Sequence, residues 1–191
     1  MGMSSGIARL SGWAGVLAAV MYLLAGILAL AAPSQGIFDS FSDYYLIGII
    51  LVVALAVTLV VIAGLHGSQR GSYGRLGAAG SLITFIGYAL IVVVAGVGLL
   101  VGDEAFFAVR LIAALAVLTG SVLVGAMTLR ARVLPWWCGV LLIVGFPLGD
   151  IFDEIVSRGS EGIVFGIVWG LVGYALLSSN SAPNRQSVRV N

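Results

Sequence analysis

Residues 45–101 read YLIGIILVVALAVTLVVIAGL (45–65), HGSQRGSYGR (66–75) and LGAAGSLITFIGYALIVVVAGVGLLV (76–101). Two long runs without a charged side chain flank a short polar segment that holds Arg70 and Arg75. A helix rises ~1.5 Å per residue, so about 20 apolar residues cross the ~30 Å hydrocarbon core of a bilayer. Each run meets that length. Neither alternates with the period of two that a membrane barrel strand shows, and a helix satisfies its backbone groups internally, as lipid requires. The segment therefore reads as two membrane helices joined by a tight turn, with the linker Gly67–Gly74 expected to be flexible.

Working outward, four further runs of the same kind bring the expected number of spans to six: Leu10–Ala32, Phe106–Leu129, Val133–Gly149 and Gly162–Ser178. The whole chain agrees. Of its 191 residues 61% are hydrophobic and only 9% charged, against ~25% charged in an ordinary soluble domain. So much apolar surface does not fit inside a small globule, and the mean hydropathy of +1.16 excludes a soluble or disordered chain. A net charge of +1 argues against binding a phosphate backbone, so no nucleic-acid partner is expected. One cysteine excludes a disulfide framework and a cysteine zinc site, and Cys138 beside Trp137 reads as a small packing residue. The expected fold is all-α: one six-helix transmembrane domain over residues 1–178, with a polar, disordered tail over 179–191.

Charge sets the expected orientation. Arg9, Arg70, Arg75, Arg130, Arg132, Arg185 and Arg189 fall on one side if the helices alternate. The eight acidic residues fall on the other, and only Arg110 and Arg158 break the sorting. By the positive-inside rule both termini face the cytoplasm. Trp13, Trp136 and Trp137 mark cytoplasmic helix ends, and Phe38, Phe41, Tyr44, Tyr45, Phe106, Phe107 and Phe152 the external ends, as interfacial belts do. Ala29-Leu30-Ala31 imitates a signal-peptidase site, but the preceding run exceeds the ~7–15 residues of a signal core, so a retained helix is expected. Arginine without lysine, in an Ala/Gly/Val-rich chain, points to a bacterial cytoplasmic membrane.

Arg9-Leu10, Arg75-Leu76 and Arg132-Val133 open alternate spans, and Tyr22 and Tyr88 follow the first two at equal spacing. The pattern fits three helical hairpins of about 60 residues, or a common preference for arginine at cytoplasmic helix starts. Gly162, Gly166 and Gly170 recur every fourth residue and form a small-residue face, able to pack within the chain or between copies. Pro147 removes a donor to Ile143 and is expected to kink the fifth span.

Two features carry chemistry. After Gly149, helical spacing puts Asp150, Asp153, Glu154 and Ser157 on one stripe, which reads as an external cation site or as a solvated face with Glu154 paired to Arg158. Arg110 lies one turn inside Phe106 among apolar neighbours, a costly depth for a guanidinium. It is expected either to pair with Asp150 at the mouth of a cavity between spans four and five, or to snorkel to the headgroups. His66 and Met127 share a depth, but a single histidine excludes bis-histidine haem, and no cofactor or metal is expected. No catalytic set is visible.

Central polar residues are mainly Thr58, Thr84, Tyr88 and Thr119, too few for an ion-coupled pump. The expected classes are a small transporter, channel-like protein or apolar-ligand-binding bundle on one side. On the other stands a structural or accessory subunit that packs on a second copy or a membrane-protein partner. Either way the lipid bilayer is the first partner.

Overall fold

The computed structural model describes residues 5–31, 41–72, 74–101, 106–155 and 161–181. They form six α-helices: α1 (Ser5–Ala31), α2 (Phe41–Gln69), α3 (Gly74–Val101), α4 (Phe107–Ala131), α5 (Trp136–Ile155) and α6 (Glu161–Ser181). All six are long and apolar enough to cross a membrane, the architecture of a multi-pass membrane protein. Many of their residues are β-branched and would be indifferent helix formers in water. In hydrocarbon that preference yields to the need to bond every backbone group. Hydroxyls follow the same rule: Thr58 donates to the Ala54 carbonyl at 2.9 Å and Thr84 to the Gly80 carbonyl at 2.8 Å.

The helices run beyond the apolar segments that announce them. α2 continues through Gln69, so the turn joining it to α3 is shorter than the expected linker; Ser68 donates to the Leu65 carbonyl at 2.9 Å and Gln69 is buried. α5 begins at Trp136, after a turn closed by Arg132 in the left-handed conformation (φ 53°), and passes uninterrupted through Pro147 to Ile155. α6 extends to Ser181, and Ser179 donates to the Leu176 carbonyl at 3.1 Å, so the expected tail starts later than residue 179. Residues 182–191 lie outside the described residues.

Each helix packs on its neighbours in sequence, and α6 returns to α1, closing a ring. The α1–α6 and α3–α4 seams are the most extensive and the α5–α6 seam the least of the ring. Glycine explains the two tight seams. A Cβ on Gly15 would lie 2.6 Å from the Gly173 Cα, and one on Gly173 would lie 2.8 Å from the Gly12 carbonyl oxygen. Between α3 and α4, a Cβ on Gly87 would lie 2.8 Å from the Val117 nitrogen. Lipid tails are as apolar as side chains, so association rests on close packing, and glycine brings backbones near enough for it.

Packing divides the bundle into unequal halves. Val61, Ile62, Leu65, Val124, Leu142, Val172 and Leu176 form a tight core toward the end where α1 begins and α2 finishes, the arginine-rich end. Toward the opposite, acidic end the helices separate around a void.

Candidate functional site

That void is a cavity of about 620 Å³, to which all six helices contribute. It falls within the ~300–1,000 Å³ usual for small-molecule sites. α2 and α3 supply most of its wall, with Leu51, Val52 and Leu55 facing Ile91, Val94 and Ala95. It is therefore not confined to the α4–α5 seam where the sequence led us to expect it. The walls are overwhelmingly apolar. Among the described residues three charged side chains line it: Arg110 of α4, Asp150 of α5 and Glu161 of α6.

The structure brings Arg110 and Asp150 to one cavity, each exposed enough to stand at its mouth. The guanidinium of Arg110 acts electrostatically on both Asp150 and Glu161. Asp153 is half-buried one turn further along α5, and its charge also reaches both carboxylates. The side chain of Glu154 lies outside the described residues, as do Ser157 and Arg158. Gly162, Gly166 and Gly170 are not part of the cavity. Their face is occupied within the chain: Cβ atoms there would meet the Tyr22 carbonyl at 2.8 Å, the Ala19 carbonyl at 3.0 Å and the Ala19 Cβ at 3.0 Å.

Sequence reasoning missed Glu161 and the aromatic floor. Phe146 of α5 and Phe165 of α6 stack with ring centroids 5.8 Å apart and planes at 29°. Tyr22 of α1 meets Phe165 edge-on at 5.8 Å, and Tyr88 of α3 meets Trp169 edge-on at the same separation. Tyr22 is 2% exposed, and its hydroxyl makes no well-formed hydrogen bond among the described residues. Beneath the floor, Tyr88, Phe146, Phe165 and Trp169 enclose a second void of only about 10 Å³, the size of one water probe. The signal available in the sequence was a spacing. Phe146 precedes Asp150 by four residues and Phe165 follows Glu161 by four, so each ring sits one turn from a carboxylate on the same helix face.

The other polar residues of the spans are placed differently. Thr58 and Thr84 are buried and bonded to their own helices, and Thr119 is exposed on the outer surface. His66 and Met127 are both half-buried and lie apart from the cavity lining. Among the described residues, no three His, Cys, Asp or Glu side chains converge closely enough to hold a metal ion. No family model, curated protein or solved structure matches the chain.

Proposed function

We propose that this protein is a small-ligand-binding bundle of a bacterial cytoplasmic membrane, carrier-like in design, that takes a small and predominantly apolar molecule into the acidic-end cavity. The observation that carries this reading is the cavity itself: about 620 Å³ of apolar-walled space whose charged lining, among the described residues, lies toward one end. A membrane helix bundle gains by closing such space, because packing is what holds it together. Access from one end above a packed opposite half favours a carrier or receptor over an open channel. A purely structural role has less support, because the glycine faces that would dock a partner are already filled by α1 and α6 of the same chain.

Purified protein in detergent, titrated with the neutral apolar fluorophore N-phenyl-1-naphthylamine, tests the reading. Ala95→Trp and Leu51→Trp fill the cavity from opposite walls, and each is expected to weaken binding by about tenfold or more. Equal binding by both variants, with thermal midpoints unchanged, would show that the probe does not use the cavity.

The same reading has both termini in the cytoplasm and the cavity mouth outside. In the sequence, seven arginines fall on the side of the termini and the eight acidic residues on the other if the helices alternate, which by the positive-inside rule supports this orientation. Cysteines introduced at Ser4 and Ser187, on a Cys138→Ala background, are expected to resist a membrane-impermeant maleimide in intact cells. A cysteine at Asp39 is expected to react. Labelling at either terminus would reverse the orientation.

A further inference from the structure

We infer that the ligand of this cavity is a lipophilic organic cation, an onium or protonated amine carried on an apolar, ring-bearing body. The inference rests on the ligand-binding reading above and adds the chemistry of the head group.

Charge gives the sign. Asp150 and Glu161 line the cavity from adjacent helices, Asp153 acts on both, and Arg110 is the one cation lining it among the described residues. Even with Glu161 left out of the count, Asp150 and Asp153 outnumber the one guanidinium among the described residues, an excess of negative charge that attracts cations and repels anions. The spread of these groups gives the kind of cation. A metal ion needs converging oxygen ligands, and no such cluster forms among the described residues. A diffuse negative rim suits a large ion whose charge is spread over an organic group.

The floor supplies the second, independent element. Directly below Asp150 and Glu161, one helical turn deeper, the stacked rings of Phe146 and Phe165 face the space, joined by Tyr22 and Tyr88. Ring faces carry negative quadrupole density and hold onium groups by cation–π attraction, most strongly where water is excluded. Tyr22 adds a buried hydroxyl beside Thr58, whose own proton goes to the Ala54 carbonyl, so the Tyr22 oxygen keeps acceptor capacity at the edge of the same pocket. An apolar body fits the α2 and α3 walls below the rim. Carboxylates at the rim, aromatic rings one turn deeper and an aliphatic wall alongside are the groups such a ligand requires.

Tetraphenylphosphonium and tetraphenylborate have nearly the same shape and opposite charge, so equilibrium dialysis of each against the detergent-solubilised protein isolates the head group. Binding that survives in the cavity-filled Ala95→Trp variant is subtracted as micellar. The phosphonium is expected to bind at least about 30-fold tighter than the borate. Glu161→Gln and Asp150→Asn are each expected to weaken phosphonium binding about tenfold, and Arg110→Gln is expected to tighten it. Competition in lipid nanodiscs then separates two sources of the onium group: displacement by soluble benzyltrimethylammonium, or by a two-chain lipid bearing a trimethylammonium head, each supports the inference. Displacement by neither overturns it. Equal binding of phosphonium and borate, with the neutral fluorophore still bound in the cavity, overturns the cationic head group alone. Failure of all three probes to distinguish wild type from Ala95→Trp overturns the underlying ligand-binding reading as well.

Discussion

Gly15→Leu is expected to abolish the native α1–α6 seam. At that position the new side chain meets main chain, not a movable side chain: a Cβ alone would stand 2.6 Å from the Gly173 Cα and 3.0 Å from the Trp169 carbonyl oxygen. Neither can turn aside. The helices must separate, and the close contacts along Gly12, Gly26, Gly162, Gly166 and Gly173 are lost with them. Overpacking typically costs ~1–3 kcal/mol, and a clash against two backbones falls at or above the top of that range. A loss of about 3 kcal/mol corresponds to a fall of roughly 10 °C in thermal midpoint for a chain of this size. Gly96→Ala is the matched control, because a Cβ at Gly96 meets nothing within 4 Å among the described residues. It is expected to hold the midpoint or raise it by about 2–4 °C, the equivalent of the ~1 kcal/mol that separates the two residues in a helix. Circular dichroism melting in detergent reads both. An unchanged midpoint for Gly15→Leu would mean that α1 and α6 do not meet in this way.

Trp169→Ala is expected to have the next largest effect. The indole is 3% exposed, lies edge-on to Tyr88, and lines the small void below the aromatic floor. Its Nε1 is buried and lies beside the Tyr88 side chain, so truncation removes packing together with that polar contact. Replacing a buried large aromatic by alanine costs ~3–5 kcal/mol, scaled by how little the surroundings can collapse. Here Val172 and Leu176 on the same helix are themselves fully packed, so collapse is limited. Trp169→Phe keeps most of the volume and is expected to cost less than about 1.5 kcal/mol. If alanine and phenylalanine melt alike, the indole is not the wedge described here.

Parts of this architecture are legible in the order of the residues because they depend on local properties. Hydrocarbon imposes length and apolarity on each span separately, so residues 45–65 and 76–101 declare two helices without reference to the rest of the chain. The helix ends are less legible. Beyond the hydrocarbon edge the backbone continues as helix wherever nothing opposes it. It does so at the end of α2, where His66 to Gln69 remain helical, and in α5 past Asp150. Arg110 and Asp150 stand out in the sequence because an ion near hydrocarbon is expensive. Glu161 does not, since a carboxylate beside a short loop looks solvated until its helix is placed.

The glycines show the same division. Gly162, Gly166 and Gly170 announce a face, because every fourth residue of a helix points the same way. Nothing in that spacing says which helix will meet it. The answer lies in α1, with Gly12, Gly15 and Gly26 far away in the chain, whose spacing is irregular and attracts no notice.

From the sequence alone came the helical class, the number of spans and the separation of arginine from carboxylate, all consequences of what a bilayer tolerates one segment at a time. The closure of α6 onto α1, the cavity, and the meeting of Asp150, Glu161, Phe146 and Phe165 around it were decided only in three dimensions. Those depend on how far apart pairs of helices can pack, and that distance is set jointly by side chains from segments distant in the chain.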